Sequence, residues 1–365
     1  MRNLFRTGVP VILLLSLSLI VSACNFGADE TLNEMDSPPV DYIDEGEPLE
    51  TDMDGDAPLV EEGEATEDVD ENSMTDTVTR ELYLLDQDGL VVPQTMELPK
   101  EEGAIKQSLE YLVEGGPITN ELPSGFRAVI PSGTEVDVHL EDGVAIVDFS
   151  PEFEEYLPED EMKILQAITW TATQFEEVDR VQIRINGYEQ ETMPVNDTPI
   201  GEGFSRANGI NLETEGVVDL VNSKGVTLYF LSQQGDNTYY VPVTRRVAKS
   251  NDQSTYQTVV SELLNGPSSH STLLTDIRYG VELIDEPDYQ NGVVTLNFNE
   301  ALLNQSEGEA LSEDVLNMLV LSLTEQEGVE QVALHVNGES EILKASGEPL
   351  AEPVSRPTRV NTGQF

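Results

Sequence analysis

Residues 164–187, ILQAITWTATQFEEVDRVQIRING, return at 315–338 as VLNMLVLSLTEQEGVEQVALHVNG, without a gap and at an offset of 151. Self-similarity at a fixed, domain-sized spacing constrains a fold more than any local pattern, because whatever the first copy forms the second must form again. Other landmarks keep the same order. Gly116-Pro117 matches Gly266-Pro267, and GVAIVDF (143–149) matches GVVTLNF (292–298). Leu82-Tyr83-Leu84 matches Leu228-Tyr229-Phe230, and PIGEGFSRANGIN (199–211) matches PLAEPVSRPTRVN (349–361). The chain therefore holds two tandem domains, 80–211 and 212–361.

Each copy reads as strand, helix, hairpin, helix, strand. An opening strand (81–85; 226–231) leads to an amphipathic helix (102–114; 254–265) that stops at Gly-Pro. A hairpin follows (135–140 with 144–149; 281–284 with 293–298), turning at Asp142-Gly143 and Asn291-Gly292, dipeptides that favour tight hairpin turns. In the long helix Ile164, Leu165, Ile168, Ala172 and Phe175 recur at three- and four-residue spacing, and in the last strand Val181, Ile183 and Ile185 alternate with polar residues. These periods predict an α+β fold of two tandem β-α-β-β-α-β sandwich domains, with helices on one face of a mixed sheet.

Ahead of the repeats, Arg2 and Arg6 precede the apolar run 9–20, which is short for a membrane span and right for a signal peptide, 1–23. The run ends in Val21-Ser22-Ala23-Cys24. Cys24 is the chain's single cysteine, so it has no disulfide partner within the chain, and VSAC resembles a bacterial lipobox. That resemblance implies lipidation of Cys24 and, with two or three acyl chains, stable attachment to a membrane. From Asn25 to Thr79 there is no Lys, Arg or His, while about twenty Asp and Glu stand among Gly, Pro, Ser and Thr. Such composition cannot bury enough apolar surface to offset ordering entropy, so 24–79 reads as a disordered acidic tether. Its reach exceeds the roughly 40 Å of a flexible coil about 55 residues long.

No catalytic pattern emerges. His139, His270 and His335 lie far apart in sequence, and His335 aligns with Arg184, so no metal or cofactor site is expected. No nucleophile elbow, P-loop or dinucleotide fingerprint is present. Asp148, Glu152, Glu154 and Glu155 cluster after a strand, as paired carboxylates for glycan hydrolysis do, yet Asp148 becomes Asn297 in the second copy. The expectation is no enzyme. A net charge of −52 makes nucleic acid a poor partner. What chemistry does not explain is the retained Ser205-Arg206 with Asn211, matched by Ser355-Arg356 with Asn361. Either Arg206 and Arg356 lock a return loop against its own domain, or these residues form a recognition patch.

The lipobox, the acidic spacer, G-x-x-x-x-[DN]-F after the hairpin, V-x-x-V-x-[IL]-x-[IV]-N-G on the last strand and the closing S-R-x-x-x-[IV]-N, in tandem, resemble the GerM family of spore germination lipoproteins with paired GerMN domains. The resemblance implies a ring-building-motif-like fold, attachment to the outer face of the cell membrane in a sporulating mother cell, and self-association into rings. It also implies partners among exported proteins of the channel complex joining mother cell and forespore. A cell-wall-active protein that binds or hydrolyses peptidoglycan is the alternative expectation.

Overall fold

The structure, a computed structural model, describes residues 76–214, 219, 221–249, 253–303 and 310–362. The signal peptide, Cys24 and the tether up to residue 75 lie outside the described residues.

Each repeat opens with a hairpin. In the first it is β1 (Thr77–Leu85) with β2 (Val91–Pro99). The segment read as tether thus ends in a strand, since β1 already begins at Thr77. Next come α1 (Ala104–Glu110), β3 (Val136–Glu141), β4 (Val144–Phe149), α2 (Glu161–Ala172), β5 (Arg180–Ile185) and the short β6 (Tyr188–Glu189). The second repeat has the hairpin β7 (Ser223–Gln234) and β8 (Asn237–Ala248), then α3 (Thr255–Asn265), β9 (Asp288–Gln290), β10 (Val293–Phe298) and β11 (Ala310–Leu311). It closes with α4 (Glu313–Thr324), β12 (Gln331–Val336), β13 (Ile342–Lys344), β14 (Pro349–Leu350) and β15 (Val354–Ser355).

The α+β architecture and its duplication are as the periodicity predicts. Two details differ. The opening element of each repeat is a two-strand hairpin rather than one strand. Pro93 and Pro242 argue against β2 and β8, because proline gives a ladder no N–H. Both strands are edge strands, however, and each proline sits with its missing donor at no cost to the pairing with β1 or β7. The other difference is the stretch 281–284. It bonds to β10 only in part, through Ile284 N to the Asn297 carbonyl at 2.8 Å and Asn299 N to the Glu282 carbonyl at 3.0 Å. Asp285-Glu286-Pro287 then interrupts it before β9 resumes the pairing.

The main sheet of the first repeat runs β3-β4-β5-β6 and that of the second β9-β10-β12-β15. β4 and β5 are parallel, joined by α2, and β10 and β12 are parallel, joined by α4. Asp142-Gly143, Asn186-Gly187, Asn291-Gly292 and Asn337-Gly338 all take positive φ at both residues, the two-residue turn that matches strand twist. α2 packs on β1, α4 packs on β7, and β2 meets β8, which puts the two hairpins back to back between the repeats.

Most of the buried apolar residues form one continuous cluster running from Leu82 to Leu350, with Trp170, Phe149 and Phe153 from the first repeat and Phe230, Phe298 and Leu319 from the second, while Tyr229, Leu321 and Val360 pack as a small separate group. Two domains with separate cores can melt separately; a shared core couples them. Trp170, the only tryptophan, has no exposed surface and lies in the first repeat. The expected outcome of denaturant unfolding is therefore a single transition, with Trp170 fluorescence and far-ultraviolet circular dichroism coinciding. Two separated midpoints would mean that the repeats are independent.

Candidate functional site

The retained residues meet where the hairpins meet. Asn211 and Asn361 both sit at positive φ, 45° and 56°, a conformation asparagine tolerates. The Asn211 amide nitrogen donates to the Val91 carbonyl at 2.7 Å and the Pro242 carbonyl at 2.8 Å, and its oxygen accepts from Val91 N at 2.9 Å. Asn361 does the same with the roles exchanged: it donates to the Tyr240 and Pro93 carbonyls, both at 2.8 Å, and accepts from Tyr240 N at 2.8 Å. Each asparagine bridges its own hairpin to the other repeat's.

The preceding residue repeats the exchange. Thr244 N donates to the Ile210 carbonyl at 2.8 Å while its hydroxyl accepts from Ile210 N at 3.0 Å. Thr95 does this with Val360, its hydroxyl accepting from Val360 N at 2.8 Å. The closing segment of each repeat is thus zipped onto the second hairpin strand of the other. Gly209, at φ 86°, lets the chain pass this point: a Cβ there would stand 2.9 Å from Thr244 Cβ and 2.5 Å from Leu212 Cδ2.

Arg206 and Arg356 converge on one carboxylate. Arg206 reaches Glu325 at 2.5 Å, also donating to Thr173 Oγ1 at 2.9 Å, and its guanidinium lies 4.3 Å from the Trp170 ring centre. Arg356 reaches Glu325 at 3.2 Å, Glu81 at 3.5 Å and the Tyr229 hydroxyl at 3.1 Å. The return loops are therefore locked, though against both repeats rather than each against its own domain. Burial acts to raise the Glu325 pKa, but Arg206, Arg356 and the Tyr229 hydroxyl outweigh it and hold the carboxyl below the usual range. Burial pushes the Tyr83 and Tyr229 hydroxyls well above the ordinary tyrosine value.

The carboxylates after β4 line an open groove of about 1000 Å³, bounded by α1, the start of β3, the end of β4 and the Asn186-Gly187 turn. Asp148 Oδ1 accepts from Gly187 N at 2.9 Å, and Asn297 Oδ1 accepts from Gly338 N at 2.9 Å. The aspartate and the asparagine do one job, supplying an acceptor that closes the turn. Glu152 is held below the ordinary carboxylate value by its hydrogen bond with Ser150. Glu154 and Glu155 do not line the groove. Among the described residues no three of His, Cys, Asp and Glu come together as metal ligands.

Three participants lie outside the sequence-derived candidates. Glu325 aligns with Gln174, so a search for residues kept by both copies passes over it. Val92-Pro93-Gln94-Thr95 and Val241-Pro242-Val243-Thr244 share V-P-x-T at an offset of 149, a readable signal for the hairpin half of the junction. Glu161, fully buried at the start of α2, accepts from the backbone N–H groups of Val195, Asn196 and Thr198 and from the Tyr156 hydroxyl at 2.6–3.0 Å. Burial opposes its ionisation, but these bonds prevail and keep it below the ordinary value.

Replacing Asn211 or Asn361 by alanine strips the bridge between the hairpins and is expected to cost about 2–4 kcal/mol each, read from denaturant unfolding. Glu325→Gln leaves two largely buried arginines facing a neutral group and is expected to cost about 3–5 kcal/mol at pH 7. A carboxyl whose folded pKa is depressed stabilises above its unfolded value, about 4.3, and loses that effect as pH falls through the folded value. The gap between parent and Glu325→Gln should therefore close below about pH 4; a constant gap would show that Glu325 is not ionised in the junction.

Comparison with known proteins gives a consistent picture. The family model described as "Germane: Sporulation and spore germination" matches residues 81–191 and 227–341. The chain is 45% identical over 355 residues to the spore germination protein GerM of Bacillus subtilis (strain 168), covering 96% of each chain. It is similar to the solved structure of the tandem GerMN domains of the Bacillus subtilis sporulation protein GerM, at 50% identity and a TM-score of 0.74, covering 79% of this chain and all of that one.

Proposed function

The chain belongs to the Germane family of sporulation and spore germination proteins, and from that membership together with the junction geometry we infer a non-enzymatic scaffold that acts in sporulation and germination. Cys24 carries the lipid anchor on the outer face of the mother-cell membrane, and the acidic segment between Cys24 and β1 sets the repeats at a distance from it. The two GerMN domains, fixed to one another by exchanged closing segments, present their sheets to exported proteins of the channel complex between mother cell and forespore, and to further copies of the chain in a ring.

The observation that carries this reading is the fate of the retained residues. Arg206, Arg356, Asn211 and Asn361 hold the repeats together, and Asp148 closes a turn that Asn297 closes equally well. Residues kept between the copies serve rigidity, as a scaffold requires. The groove after β4 supports the peptidoglycan-binding alternative, since it is open to solvent and mixes polar side chains with apolar ones such as Phe149.

The test is crosslinking in sporulating cells, followed by capture of this protein from solubilised membranes. The expected result is recovery of channel components, lost in a Cys24→Ala strain, and full sporulation in an Asp148→Asn strain. Release of muropeptides from purified wall by the soluble repeats, abolished by Asp148→Asn, would replace the scaffold with a hydrolase.

A further inference from the structure

β3 is the outermost strand of its sheet, and among the described residues no strand pairs with its outer side. It is unbroken over residues 136–141, and His139, Leu140 and Glu141 are exposed. A free edge of this kind presents unpaired N–H and C=O groups that an extended segment can satisfy. The matching edge of the second repeat is closed to such pairing by Asp285-Glu286-Pro287, which interrupts the strand ahead of β9.

The groove beside the start of β3 carries the charge that selects the occupant. Glu110, Glu135, Asp137, Asp148 and Glu152 line it, against Lys106 alone. Lys106 lies 3.6 Å from Asp137 and 3.9 Å from Glu110, which leaves the groove strongly negative. The carboxylates are spread along the walls rather than gathered, and among the described residues none forms a metal-ligand group. A row of separated negative charges beside a free strand edge fits a row of separated positive ones.

We propose that the first repeat is a docking site for an extended, Lys/Arg-rich segment of an exported partner, which adds as a strand to the outer edge of β3 and places its basic side chains in the groove. This rests on the scaffold reading and assigns the partner-binding role to one repeat. The tether attracts any polycation, so the test must separate site from field.

The mature chain, with Cys24→Ala for solubility, is titrated with a fluorescein-labelled Lys-Thr-Lys-Val-Lys-Thr-Lys-Val peptide at about 0.15 M salt, where the field of distant charges is largely screened. The expected result is that Asp137→Lys/Glu152→Lys weakens binding tenfold or more, while the charge-matched Glu282→Lys/Asp288→Lys in the second repeat changes it less than twofold. Hydrogen exchange of the β3 amides should slow when the peptide is present. Equal losses from the two pairs, or binding that leaves β3 exchange unchanged, would overturn the proposal in favour of attraction by the tether. In cells, unchanged capture of channel components by the Asp137→Lys/Glu152→Lys protein would overturn this site while leaving the scaffold standing; loss in the Cys24→Ala strain alone separates the two.

Discussion

The structure depends on one exchange. Each repeat sends its closing segment across to the other's hairpin, and the bonds run in matched pairs: Ile210 with Thr244 and Val360 with Thr95, Asn211 with Pro242 and Asn361 with Pro93. The carbonyls of two prolines accept from the asparagine amides at positions where the backbone has no N–H to offer. Proline is tolerated within β2 and β8 because the approaching asparagine takes only a carbonyl from that residue.

Around this exchange the charges are arranged with little surplus. Arg206 and Arg356 face Glu325 and Glu81, with the Tyr83 and Tyr229 hydroxyls alongside. A buried charge without a partner is costly, and here each has one. Burial raises both tyrosines, so they stay neutral through the ordinary pH range, and the arginines keep Glu325 ionised. The junction keeps its charge pattern between the carboxylate and phenol titrations.

Much of this was legible in the sequence. The duplication, the helices of the 164–187 and 315–338 units, the alternating final strands and the four Asn-Gly or Asp-Gly turns follow from periodicity and turn chemistry. The S-R and Asn positions stood out because both copies keep them. Of their partners only the V-P-x-T stretches are kept by both copies, because a contact between copies need not be matched within each. Glu325 is invisible to a comparison that pairs it with Gln174, and the second hairpin strands were masked by proline, whose usual meaning in a strand fails where the neighbour takes only that residue's carbonyl. The interrupted edge ahead of β9 was missed for a related reason: alternation in Val281 and Leu283 reads as a strand, while Pro287 decides how far it runs.

The Gln174 and Glu325 pair has a consequence of its own. In a symmetric dimer of separate identical chains, any residue at the interface appears on both sides, so a glutamate at this place would bring a second buried negative charge with it. Covalent joining of the two halves lifts that constraint. One side keeps Gln174, whose amide donates to the Glu81 carbonyl at 2.7 Å and accepts from Glu81 N at 2.9 Å, while the other gains the single carboxylate that both arginines share. Duplication within one chain has here made a charge count available that two equal halves are unable to reach.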